Sequence, residues 1–248
     1  MTIQRRHLYG AAGLAVICWA RLCAAYRPFD GTDAELAEPG EVELELGPAG
    51  YRRQGSSQFV VAPALVANYG FAPGFEAVLE GRQDIPISAT THLWQVQDAA
   101  LSVKALLRRG SLQGCTGVSV ALEAGILLPG LEDGLGTHIG SIFSVRLPAL
   151  SLHLNLGNDL YSARYEASAS LILEGPASWR LRPVAEMLVE RDFGSSVFSH
   201  GLGESALLGG IVRWSDPLAF DLGLRYGRAD GQSQEEVRAG LTWAFGLW

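Results

Sequence analysis

Three scarcities narrow the chemistry before any pattern is read. Cysteine occurs three times, at Cys18, Cys23 and Cys115. Two of these fall in the first 25 residues, which read as a removable leader, so Cys115 stands alone in the mature chain. That leaves no intramolecular disulfide and no cysteine metal site. Lysine is represented by Lys104 only, and acidic residues outnumber Lys and Arg by 26 to 19. This balance argues against a nucleic-acid partner. Beyond residue 25 no uncharged apolar run approaches the roughly 18 to 20 residues of a spanning helix, which excludes a helical membrane protein. Charged residues make up 18% of the chain, against about 25% in a typical soluble domain. The 48% hydrophobic content nevertheless argues against disorder. Glycines are scattered and none opens a helix after a strand, so no phosphate loop and no cofactor is expected.

What is present begins with an export signal. Arg5, Arg6 and His7 precede the apolar stretch Leu8–Ala20, and small residues lead to Ala24-Ala25. This is the order of a secretory signal peptide, with cleavage expected near Ala25. Loss of residues 1–25 removes three arginines and no acid, taking the formal net charge from −7 to −10. The apolar run is short for a membrane anchor, and Leu22 stands where a lipid-anchored Cys23 would want a small residue.

The mature chain alternates with a period of two. Glu41–Leu46, Leu150–Leu156, Leu218–Tyr226 and Val237–Phe245 place apolar residues on one face and polar or small residues on the other. Such alternation predicts half-apolar strands. Strands are expected near 41–47, 57–69, 74–81, 98–109, 116–128, 138–147, 149–157, 163–174, 179–191, 205–214, 218–227 and 236–247. Their typical length, about ten residues, suits a tilted strand crossing a bilayer. Connections are expected to alternate. Short ones fall near 70–73, 110–115, 148, 175–178 and 215–217. Longer ones fall near 48–56, 82–97, 129–137, 158–162, 192–204 and 228–235. Tyr69, Phe71, Phe75, Trp179, Trp214, Phe220, Trp243 and Phe245 fall at the short-turn ends of the strands, where amphipathic rings favour a membrane interface. A soluble barrel with its apolar face inward shows the same period. The leader, the one-ended aromatics and the strand count favour the membrane form. The expected fold is therefore all-β, a transmembrane antiparallel up-and-down barrel of about twelve strands. Residues 41–248 form the barrel, 26–40 a periplasmic segment and 1–25 the signal peptide. The terminal strands should pair, because open edges in lipid cost several kcal/mol per unpaired group.

Val237–Phe245, an amphipathic strand ending on an aromatic, resembles the closing signal of Gram-negative outer-membrane barrels, although Gly246-Leu247-Trp248 follow it. That resemblance implies the barrel-assembly machinery as a partner. Tyr26–Ala34 with Glu41–Tyr51, Asp98–Arg109 and Gly125–Pro129 resemble a family of proteobacterial outer-membrane proteins labelled transporters, similar to the barrels of phenol meta-pathway operons. The resemblance implies a barrel in the outer membrane and a transport role. It brings no catalytic residues and no agreed substrate.

The polar face collects charge of both signs. Candidate pore-lining residues are Glu76, Lys104, Arg108, Glu123, Arg146, Arg164, Glu166, Arg180, Arg182, Glu186, Arg213, Asp221, Arg225 and Arg238. Glu41, Glu43, Glu45, Glu80, Glu174 and Glu190 share that face. Near balance predicts cross-strand ion pairing inside the barrel, leaving either a narrow charged pore or a structural network that conducts nothing. Glu41, Glu43 and Glu45 could suggest a cation site, but three in-line strand residues span too far to converge on one ion. Ser151, His153 and Asn155 could suggest a barrel hydrolase. All three face inward, whereas a lipase must present its nucleophile to lipid. The expected function is passive passage of small solutes, not catalysis. Loop 192–204, with Asp192, Phe193, Phe198, His200 and Glu204, is the candidate external recognition or lid loop.

Overall fold

The computed structural model describes residues 27–87, 95–129, 134–162, 164–194, 201–229 and 231–247. The signal-peptide reading therefore lies outside the described residues, as do Phe198 and His200. Twelve strands follow one another: β1 (Glu41–Gln54), β2 (Ser57–Ala72), β3 (Phe75–Pro86), β4 (Gln95–Arg108), β5 (Ser119–Leu127), β6 (Gly136–Arg146), β7 (Ser151–Tyr161), β8 (Arg164–Glu174), β9 (Leu181–Gly194), β10 (Leu202–Ser215), β11 (Leu218–Ala229) and β12 (Gln232–Gly246). Each pairs antiparallel with its sequence neighbours, and β1 closes on β12 from Glu41↔Gly246 to Gln54↔Gln234. Closure removes both sheet edges, as a wall in lipid requires.

Alternation sorts the side chains. Along β11, Leu218, Phe220, Leu222, Leu224 and Tyr226 point out, while Ala219, Asp221, Gly223 and Arg225 point in. The outside exposes large apolar residues strand after strand, such as Leu222 at 56% and Met187 at 64%. The inside buries charge, with Lys104, Glu76 and Glu186 each only 1% exposed. This is a soluble protein's arrangement reversed. A polar lumen and an apolar belt are what a bilayer demands of a barrel.

The strands run further than the apolar pattern alone indicates. The expected long connections at 48–56, 158–162 and 228–235 shorten to two residues each, between Gln54 and Ser57, Tyr161 and Arg164, and Ala229 and Gln232. Ladder pairing needs only backbone groups, so Arg52, Arg53 and Gln54 continue β1 beyond its apolar stretch. Gly55 (φ 56°) and Gly231 (φ 74°) supply the positive φ for two of these turns. Conversely, the connection expected at 110–115 extends over 109–118 and carries a 3₁₀ turn at Ser111–Gln113. The end of the barrel that holds Glu41 and Gly246 is called the turn end below, and the opposite end the loop end.

Two aromatic girdles bound the apolar belt. At the turn end the rings of Phe71 and Phe75, Trp214 and Phe220, and Trp243 and Phe245 pair at 6.0, 6.5 and 4.9 Å. Toward the loop end stand Tyr51 and Tyr226, with Tyr165 and Phe193 in ring contact at 5.6 Å. From Phe220 to Tyr226 the strand rises about 20 Å.

Candidate functional site

The segment expected beneath the barrel, where described (27–40), lies inside it. Irregular backbone in a lumen has no ladder partner, so its donors need acceptors from the wall. Six of its amide N–H groups find them. Arg27 donates to Glu45 Oε2 (3.0 Å), Asp30 to Glu186 Oε2 (3.1 Å) and Gly31 to Glu186 Oε1 (2.8 Å). Thr32 donates to Asn155 Oδ1 (3.2 Å), Ala34 to Ser144 Oγ (3.0 Å) and Ala37 to Glu76 Oε2 (2.6 Å). The acceptors belong to β1, β3, β6, β7 and β9, so the segment runs round the inner wall before Gly40 turns into β1. Its carbonyls are also met. Arg238 Nη1 donates to Pro28 O (3.0 Å), and Gln113 Nε2 donates to Ala34 O (2.8 Å).

Charged groups meet across the docked segment. Asp30 lies between Arg225 (3.0 Å) and Arg238. Glu35 pairs with Arg146 at 3.2 Å, and Arg27 faces Asp221 at 3.6 Å. Lys104 Nζ donates to Thr32 Oγ1 (3.2 Å) and lies 3.7 Å from Glu76. Glycines give the segment room. A Cβ at Gly47 or Gly240 would strike the Arg27 guanidinium, and one at Gly70 would strike the Glu38 carbonyl oxygen. Burial would raise the Asp30 carboxyl, but Arg238 and Arg225 outweigh it and hold the group below its ordinary range. Burial, helped by the charge of Asp33 and opposed by Arg146, pushes Glu35 up to about 7.

On the loop side of this segment the lumen holds a cavity of 720 Å³. Arg27–Thr32 line it from the turn end, and it reaches Gln54, Tyr161, Gly201 and Ala229 at the rim. One wall carries Arg52, Arg82, Arg225 and Arg238; the facing wall carries Glu123, Asp159, Glu166 and Glu190. Most arginines are already engaged. Arg52 bonds Asp84 and stacks over Phe59 at 4.7 Å, and Arg82 pairs with Asp98 at 3.1 Å. Arg164 pairs with Asp192 at 3.5 Å and stacks over Tyr161 at 4.6 Å. His138 Nδ1 lies 2.5 Å from Asp159 Oδ1, and Ser102 donates to Glu123.

The candidate pore residues therefore divide into three groups. Lys104, Glu123, Arg164, Glu166, Arg225 and Arg238 line the cavity. Glu76, Arg146, Glu186 and Asp221 hold the N-terminal segment. Arg108, Arg180, Arg182 and Arg213 lie at the turn end, outside the cavity. There Arg182 pairs with Glu174 at 2.9 Å, and Arg180 stacks on the outward-facing Trp214 at 5.6 Å. Sequence reasoning missed Arg52, Arg82 and Asp84, because it placed them in connections rather than on strands, and it passed over Asp98 at the start of an expected strand. It also missed the segment 27–38 as a lumen occupant.

Ser151, His153 and Asn155 do not meet as a catalytic group. His153 Nδ1 bonds Ser144 Oγ at 2.9 Å, and that hydroxyl already accepts from Ala34 N–H. Ser144 has no exposed surface. Among the described residues no cluster of His, Cys, Asp and Glu is arranged to hold a metal ion.

No protein-family model matches this sequence, and no curated protein matches it. Solved structures do. A COG4313 outer membrane channel from Pseudomonas putida F1 superposes with a TM-score of 0.62 at 10% identity, over 88% of this chain and 100% of that one. The NanC porin gives 0.60 at 10% identity, over 82% and 98%. The KdgM porin gives 0.52 at 12% identity, over 82% and 99%. At such identities the likeness establishes the architecture, a closed barrel of the kind that outer-membrane porins and channels use, and does not extend to the phenol meta-pathway relationship.

Proposed function

We propose that this chain is an outer-membrane channel for small solutes in a Gram-negative bacterium, with the docked N-terminal segment forming its narrowest section. The observation that carries the reading is a 720 Å³ charged cavity inside a closed barrel whose outer surface is apolar. Charged lining side chains tune which solutes pass, and a barrel of this size stands between the side-chain-filled eight-stranded type and the wide porins. The porin and channel neighbours support the same reading. Export by a signal peptide cleaved near Ala25 and insertion by the assembly machinery through β12 belong to this proposal.

The test is single-channel conductance of the refolded mature protein in a planar bilayer, beside a variant lacking residues 27–37. Stable steps are expected, larger in the deletion variant. Folded, heat-modifiable barrels that never conduct in either form would overturn the channel reading. They would favour a second one, a non-conducting binding or structural barrel. The number of bonds that hold the segment in place is the observation on that side.

A further inference from the structure

Among the described residues, the outer surface near the loop end is charged on one arc only. Arg191 on β9, Glu204 on β10, Arg228 on β11, Glu235 on β12 and Arg53 on β1 all share the outward parity of their strands and are exposed. They alternate in sign across five strands that lie side by side in the closed sheet. The register places them in adjacent rows: Leu202↔Arg191, Glu204↔Arg228, Tyr226↔Glu235 and Arg53↔Glu235. Neighbouring strands stand about 4.8 Å apart, so the band covers roughly 20 Å of circumference. Elsewhere at this level, the outward residues described on β2–β8 are uncharged, among them Gln58, Val60, Gln83, Ile85, Ile126, Thr137 and Leu160.

Cross-strand pairing alone does not account for the arc. Arg53 reaches Glu235 only at 3.9 Å, with both side chains 50% exposed. Among the described residues Arg191 and Arg228 make no ion pair, and Arg191 rests its guanidinium on the Phe193 ring at 5.2 Å. The charges sit at the Tyr51, Tyr226 and Phe193 girdle, where an outward arginine costs far less than at the bilayer midplane. A guanidinium at that depth faces lipid headgroups, and its planar fork matches phosphate oxygens. A carboxylate at the same depth suits a divalent cation.

We propose that this arc binds the phosphorylated headgroup of an outer-leaflet glycolipid, arginines taking phosphate oxygens and glutamates taking the divalent cations that bridge headgroups. The inference rests on the outer-membrane reading above, with the loop end outward. It is independent of whether the lumen conducts.

The test uses the purified mature barrel and two probes, lipid A carrying both phosphates and the same lipid with its phosphates removed. Binding is read by native mass spectrometry in magnesium. The double variant Arg191→Gln, Arg228→Gln should lose about tenfold in affinity for the phosphorylated probe and bind the dephosphorylated one as wild type does. Glu204→Gln with Glu235→Gln should remove the magnesium dependence. Equal binding of both probes, or equal binding by wild type and the double glutamine variant, would overturn the proposal. Should the glutamine pair not refold, Arg191→Lys with Arg228→Lys keeps both charges and loses the planar forks; it should bind the phosphorylated probe more weakly than wild type, and equal affinity would overturn the proposal. Conductance of the same preparations in phospholipid alone reports on the channel reading separately.

Discussion

Single residues in the lumen carry more than one duty. Glu186 accepts from two amides of the N-terminal segment and pairs with Arg225, both side chains being almost fully buried. Breaking a buried pair by removing one partner costs about 3–5 kcal/mol, because the other charge is left without compensation. Arg225→Met should therefore lower the unfolding free energy of the refolded barrel, read from urea titration, by an amount of that order. Glu186→Gln, which keeps an acceptor oxygen for the segment, should cost less. Glu35 gives the docking a pH dependence of predictable sign. In a released segment it would titrate at its ordinary 4.5, whereas docked it titrates at about 7. The docked state holds the proton more tightly, so docking weakens as pH rises from about 4.5 to 7. Asp30 acts oppositely. Its docked carboxyl is held below the ordinary 3.8, so its contribution is present above that value and fades as pH falls beneath it. Docking should be firmest in mild acid, and the effect is small because a third of the Glu35 side chain, 32%, is open to solvent. Hydrogen-exchange protection of the Ala34 amide, corrected for its intrinsic rate, should fall between pH 5 and 7.5 and stay level in Glu35→Gln.

At the level of elements, the strands were legible because period-two alternation follows from backbone geometry alone. Leu218–Tyr226 and Val237–Phe245 needed no tertiary information to be placed. Strand ends were not legible. Arg52, Arg53 and Gln54 carry no apolar alternation, yet they complete a hairpin through Gly55. The same holds for Arg82 and Asp84 at the far end of β3: the ladder continues past the belt, so Arg82 reaches the cavity and the buried Asp84 holds Arg52 at its wall. Contact between the N-terminal segment and β2 depends on one small residue. A side chain at Gly70 would overlap the Glu38 carbonyl, and Gly40 N–H donates to Gly70 O at 2.7 Å. Gly70→Val should leave the barrel heat-modifiable while making the segment accessible to protease in intact vesicles. An unchanged digestion pattern would mean that β2 or the segment moves aside without undocking.

For the whole molecule, the decisive property is inversion. Leu224 is 58% exposed and points outward, whereas its neighbour Arg225 is 4% exposed and points inward. Leu224→Arg should cost about 2–4 kcal/mol in a bilayer and little in a soluble barrel of the same shape. Unfolding from vesicles measures the difference. The sequence by itself determined the strand count, the two-faced strands, the turn-end aromatics and the sign of the charges on the inner face, because each follows from local spacing. What those charges hold was decided only by closure. Glu45, Glu76, Ser144, Asn155 and Glu186 stand far apart along the chain and converge because a closed sheet wraps β1, β3, β6, β7 and β9 around one axis. Only then does a segment with unpaired amides have acceptors on every side. Local periodicity states which way a side chain points, and it carries no information on what lies at the centre.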